Sequence, residues 1–206
     1  MRKQFTLFVM VILLFAVSGS AQSRRKQPNK AQAKSEITDI RQVDFLNYTY
    51  QSRLCSQEIP GISKTVRVRK GEFENDEVRF GVDDVIYGDI TGDGREEAIV
   101  EIGCMLLGAN GWLSDIFIYT LKNGRAALVA ELNDNNMYRD YKRYYSNGTL
   151  WRITDNGVKV KGNNLVIERF AEGSHAAPKY VATMDYRLNG TKLTLSGKPQ
   201  RRNTNF

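Results

Sequence analysis

From Tyr180 to Leu188 every second residue is apolar: Tyr180, Ala182, Met184, Tyr186 and Leu188 alternate with Val181, Thr183, Asp185 and Arg187. Successive side chains of an extended chain point to opposite faces, so this pattern makes a strand with one face inward and excludes an amphipathic helix. The same alternation recurs at Val66 and Val68 between Arg67 and Arg69, and at Val158 and Val160 between Lys159 and Lys161. Residues 165–170 and 192–195 supply further strands. Two stretches, 98–107 and 116–121, are apolar on both faces and are expected as central strands covered on both sides. Asn-Gly pairs at 123/124, 147/148, 156/157 and 189/190 punctuate the pattern, and Asn-Gly favours the centre of a two-residue hairpin turn. The expected fold is therefore mainly β: an antiparallel meander forming a sandwich or partly open barrel, with at most one or two short helices.

The helical candidates are few. Ile37, Ile40 and Val43 recur at three-residue steps with Thr38 as a cap, ahead of a strand at 44–50. Residues 133–146, "NDNNMYRDYKRYYS", hold four of the ten tyrosines. This segment is expected as a short helix or an ordered loop whose rings pack against the sheet rather than line a binding surface.

The ends differ from the middle. Arg2 and Lys3 precede an apolar run of about 13 residues and then Ser18-Gly19-Ser20-Ala21, the layout of a signal peptide over residues 1–21. Such a run is shorter than the roughly 20 residues a membrane-spanning helix requires, and no later stretch approaches that length. The expected product is an exported protein, periplasmic or secreted, with no transmembrane segment after cleavage. Residues 22–35 carry five basic residues and no acid, the composition of a disordered linker. The basic stretch 197–206 is expected to be a disordered tail, leaving 36–196 as a single β-rich domain.

This partition changes the meaning of the net charge. The chain carries +7 from 30 basic and 23 acidic residues. Ten of the basic residues and none of the acidic ones fall in the leader, linker and tail, so the domain holds 20 against 23, a balance of −3. A nucleic-acid reader needs its positive charge on a folded face, so nucleic acid is excluded as the expected partner. The two cysteines, Cys55 and Cys104, are an even count in an exported chain and are expected to form a disulfide.

"YGDITGDGREEAIVEI", 87–102, is the densest motif. Counting from Asp89, side-chain oxygens fall at positions one, three, five and nine (Asp89, Thr91, Asp93, Glu97), with Gly94 at position six and the Arg95 carbonyl at position seven. Alternating oxygens around a glycine-tightened turn suit calcium, a hard cation taking six to eight oxygen ligands. Position twelve is Val100 where an EF-hand requires a bidentate Glu, so a helix–loop–helix hand is rejected. The loop resembles instead the D-x-D-x-D-G-x-x-D/E loop of FG-GAP and VCBS-type repeats, with Thr91 replacing Asp or Asn at the third position. That resemblance covers about a dozen residues in one copy, so it implies a calcium loop between two strands and not a propeller. The competing reading is an Asp-Gly turn whose carboxylates cap their own backbone amides. Together with "DFLNYTY" upstream, the motif also resembles exported bacterial β-domain proteins of unassigned function.

Catalytic signatures are sparse. His175 is the only histidine, which excludes H-E-x-x-H and histidine-rich zinc sites. A carboxylate pair is the remaining catalytic option, with Asp83 and Asp84 its nearest candidates outside the acidic loop. The expected function is a non-catalytic envelope or extracellular binding or structural module, its loop organised by calcium and its partner an envelope protein or polysaccharide. The alternative is a small secreted hydrolase acting on envelope polysaccharide or peptide through a carboxylate pair. Sequons at Asn47, Asn147 and Asn189 matter only in a eukaryotic host.

Overall fold

The computed structural model describes residues 37–51, 65–108 and 112–204. The expected leader, the linker and Cys55 lie outside them. Within the described residues the chain builds two five-stranded antiparallel sheets and a two-stranded ribbon, with one α-helix and two 3₁₀ turns.

The first sheet runs in sequence order: β3 (Glu72–Glu74), β4 (Val78–Gly88), β5 (Glu97–Leu106), β6 (Trp112–Lys122) and β7 (Arg125–Leu132). The helix α1 (Asp134–Lys142) follows; the Asn133 side chain caps it by accepting from the Asn136 amide at 2.9 Å. The second sheet comprises β8 (Leu150–Lys161), β9 (Asn164–Ser174) and β10 (Ala177–Asn189). Beyond β10, β11 (Lys192–Leu195) and β12 (Gln200–Asn203) both pair with it at different heights. Neither sheet closes on itself, so the architecture is that of a sandwich rather than a barrel.

The apolar patterning shows why the first sheet lies in the middle. Ile99, Ile116, Ile118 and Leu132 from one of its faces pack against Ile153, Leu165, Ile167, Met184 and Tyr186 of the second sheet, with Met137 and Tyr141 of α1. Ala98, Val100, Ile102, Phe117 and Tyr119 on the other face pack under Ile40, Phe45, Tyr50, Val66 and Val68. These cover residues come from the 3₁₀ turns Ile40–Gln42 and Phe45–Asn47 and from the ribbon of β1 (Thr49–Gln51) and β2 (Thr65–Arg67). The fully buried Tyr50 hydroxyl donates to the Phe45 carbonyl at 2.6 Å, which satisfies its polar end inside an aromatic cluster. The two doubly apolar segments are thus central strands, as their composition requires.

Several local expectations shift. Asn123-Gly124 does centre the β6–β7 hairpin, with both residues at positive φ (52° and 68°). The β10–β11 turn instead centres on Gly190-Thr191, because Asn189 still pairs with Lys192. Asn147-Gly148 links α1 to β8, and Asn156-Gly157 lies inside β8, where the ladder slips between Ile153 and Val158. A Cβ at Gly157 would meet the Thr154 and Glu168 carbonyls at 2.6 and 2.7 Å, so the residue serves a tight bulge rather than a hairpin. The helix expected near Thr38 is two 3₁₀ turns, capped by Asp39 and Asp44.

The expected disordered tail is corrected. Gln200–Asn203 forms β12, an edge strand whose four residues are exposed. Its lack of apolar pattern hid it, since its order comes from backbone pairing to Tyr180–Thr183 and from Arg201. That guanidinium sits 3.8 Å from the Tyr145 ring centroid and 4.6 Å from that of Tyr180, and pairs with Glu172. The ordered domain therefore extends to about residue 204.

Candidate functional site

A bulge in β4 starts the site. The β4–β5 ladder pairs Val82 with Ile102 and then Asp84 with Glu101, leaving Asp83 as an extra residue. A bulge re-aims side chains, and this one brings two consecutive aspartates onto the face that looks toward the second sheet. Asp83 Oδ2 accepts a hydrogen bond from Trp112 Nε1 at 2.9 Å, and Asp84 Oδ1 accepts from the Val85 amide at 2.7 Å. Trp112 itself lies flat against β5: a Cβ at Gly103 would sit only 2.0 Å from Nε1, so the indole fits because residue 103 has no side chain.

Glu101, Ser114 and Trp112 project from the same face, and the segment Arg152–Asn156 of β8 forms the opposite wall. The two slips in the β8 ladder lie on either side of Ile153, whose side chain stays in the core, and the segment bounds a cleft of about 550 Å³. Four carboxyl groups (Asp83, Asp84, Glu101 and Asp155) and one guanidinium line it. Arg152 is occupied by Asp155 at 3.2 Å and by the Phe170 ring at 5.2 Å. The Ser114 hydroxyl, on a residue 1% exposed, has no hydrogen-bond partner among the described residues. A buried polar group left unpaired is costly, and such exceptions point to a missing partner.

The electrostatics follow from crowding. Burial, reinforced by Asp83 and Asp84 and opposed by Arg169, pushes the Glu101 carboxyl up to about 8. Burial also raises Asp83, against the lowering effect of the Trp112 hydrogen bond. Asp115, on β6 and outside the cleft, where it accepts from the Asp134 amide at the start of α1, is likewise pushed up to about 8 by burial and by Glu131. Both Glu101 and Asp115 hold protons more tightly folded than unfolded. Their contribution to stability is therefore complete below about 4 and is lost as pH rises through about 8. The urea midpoint is expected to fall across that interval, and Glu101→Gln to flatten part of the fall; an unchanged profile in the variant would remove Glu101 as a cause.

The acidic loop folds differently from a ligand cage. Asp89 accepts from the Gly92 and Gly94 amides at 2.6 and 2.9 Å. Asp93 accepts from the Arg95 amide at 2.9 Å, and its second oxygen takes the Arg95 guanidinium at 2.5 and 3.0 Å. Glu97, fully buried, accepts from the Ile90 and Thr91 amides, and the Thr91 hydroxyl lies 3.4 Å from its other oxygen. Among the described residues no group of three or more His, Cys, Asp or Glu side chains is placed to hold a metal ion. The loop is tied to the second sheet by Asn163 Nδ2 donating to the Asp89 carbonyl at 2.9 Å.

Of the other sequence candidates, Cys104 is buried in the outer core, and no described cysteine is a free thiol. His175 is exposed at the β9–β10 turn, edge-on to Trp151. In the tyrosine-rich segment Tyr141 is buried and stacks near Tyr145, while Tyr144 is exposed. Sequence reasoning reached Asp83 and Asp84 but missed Glu101, Trp112 and Ser114. The available signal was Glu101 itself, a lone acid inside a run apolar on both faces, followed two residues later by a glycine. Among the described residues no helix is long and apolar enough to cross a membrane. Comparison of the chain with protein-family models, curated proteins and solved structures finds no match.

Proposed function

We propose that this chain is an exported β-sandwich binding module whose ligand occupies the cleft between β4–β6 and β8. The observation that carries the reading is the unpartnered, buried Ser114 hydroxyl in a cleft wall that also presents carboxyls and an indole. A concave site with a few convergent polar groups beside an aromatic face is the usual form of a ligand pocket. Envelope peptide or polysaccharide is the ligand source consistent with the leader. The test is a thermal-shift screen of the mature protein against peptide and oligosaccharide libraries, repeated with Ser114→Ala and Trp112→Phe. Hits lost in both variants support the cleft; hits unaffected by either would place binding elsewhere.

A second reading, a hydrolase, is favoured by one observation: Glu101, which burial keeps protonated to about 8, is the direct cross-strand neighbour of Asp84. A proton-holding acid beside a second carboxyl is the pairing that glycoside hydrolysis requires. Turnover of an envelope polysaccharide that Glu101→Gln abolishes would support it, and binding without turnover would not.

Two accessory features complete the proposal. A Cys55–Cys104 disulfide closing about 50 residues would stabilise the fold by roughly 4 kcal/mol on the chain-entropy model. Reduction should then add two alkylatable thiols and lower the melting temperature. Calcium in the acidic loop requires Asp93 to leave Arg95. Melts with calcium and with chelator that differ only while Asp93 is intact would support the cation; coincident melts would leave a turn held by its own hydrogen bonds.

A further inference from the structure

We propose that the cleft takes an organic cation, an alkylammonium or guanidinium group, seated between the Trp112 indole and the carboxyls of Asp84 and Glu101. This rests on the cleft being the binding site, and it names the chemistry the site selects. The wall offers carboxyl oxygens from four residues and the Ser114 oxygen. Of its donors, the Trp112 N–H is committed to Asp83 and one Arg152 N–H to Asp155. A ligand that complements this excess of carboxyl oxygens brings N–H donors and positive charge. An ammonium group carries three donors and no acceptor, and a guanidinium carries five. The indole supplies a π face of the kind that attracts such cations when they are partly desolvated. A neutral sugar brings as many acceptors as donors, and a carboxylate or phosphate would meet like charge.

Proton exchange follows. Glu101 is faced by Asp83 and Asp84 from β4, by Arg169 from β9, by Ser114 and Trp112 from β6, and by Arg152 and Asp155 across the cleft. An arriving cation adds an opposite charge to this set and favours the ionised form of Glu101, which then gives up its proton to solvent. Cation binding is therefore linked to proton release near neutral pH and tightens as pH rises toward 8.

The experiment is isothermal titration of the mature protein with cadaverine, Nα-acetyl-lysine amide and Nα-acetyl-arginine amide, at pH 6 and 8.5, with phosphate and MES compared at pH 6. Nα-acetyl-glutamate and a neutral N-acetylglucosamine oligomer are the comparison probes. Expected are binding of the cations alone, at least tenfold tighter at pH 8.5 than at pH 6, and at pH 6 a heat that differs between buffers by the released proton. Glu101→Gln should remove both the pH dependence and the buffer difference; Trp112→Phe should weaken binding several-fold while leaving both. Preference for cadaverine points to a free polyamine as the source, preference for the amides to a peptide. Binding of the neutral oligomer alone, lost in Ser114→Ala, would overturn the cation and leave the cleft as a binding site. Silence of every probe would overturn the cation and remove the reading beneath it.

Discussion

Gly103→Ala is expected to cost about 3 kcal/mol or more, at the upper end of what overpacking does in a well-packed site. A methyl group there would lie 2.0 to 2.1 Å from three indole atoms of Trp112, a distance that cannot be absorbed by a small shift. The ring must leave, and with it goes the 2.9 Å hydrogen bond to Asp83. Urea denaturation reads the cost, and a red shift in tryptophan emission reads the displacement. In a Trp112→Ala background the same glycine substitution should be close to neutral, since the clash has no second party. Equal penalties in both backgrounds would mean that Gly103 matters for its backbone and not for seating the indole.

Arg169→Leu is expected to cost 3 to 5 kcal/mol, the range for removing one partner of a buried ion pair. The Arg169 side chain is 2% exposed; its Nη2 lies 2.6 Å from Asp134 Oδ1, and its Nε donates to the Trp151 carbonyl at 2.7 Å. One side chain therefore ties β9 to the first turn of α1 and to β8. Without it the Asp134 carboxyl and the Trp151 carbonyl both lose a partner. Adding Asp134→Asn should recover part of the loss, because an amide is cheaper to leave unpaired than a charge. Denaturant midpoints for the two single variants and the double variant measure the coupling. A loss below about 1 kcal/mol would show that this pair is dispensable. Since Arg169 also holds the Glu101 carboxyl down, the Glu101 titration should move further upward in the variant.

These two effects come from residues that the sequence marks unequally. Strand faces were legible where alternation or continuous apolarity specified a burial state: Val66, the run from Ala98 to Cys104, and Ala182, Met184 and Tyr186 sit as their pattern requires, whereas Leu107 is exposed and Val181 is buried on the face expected to point outward. β12 was not legible, because an edge strand held by backbone pairing and by Arg201 between two tyrosines needs no apolar period. The acidic loop was legible as a turn, but which way its carboxylates face depends on Arg95, Ile90 and Thr91 competing for them, and spacing carries no information about that competition. The cleft was the least legible. It arises where a one-residue bulge at Asp83 meets two ladder slips in β8, about 70 positions away. Register faults of this kind leave only faint marks, here Asp83-Asp84 and Asn156-Gly157.

The placement of the first sheet between two cores bears on how the chain acquires its structure. Tyr50, Val66 and Val68 are synthesised early, yet the surface that buries them is made by Val100, Ile102, Phe117 and Tyr119. During any emergence from the N-terminus, the ribbon β1–β2 must wait about 50 residues for its shelter. Until then its greasy side and free strand edges stand open to other chains, which makes this interval, rather than the finished sandwich, the moment at which the protein is most vulnerable to aggregation.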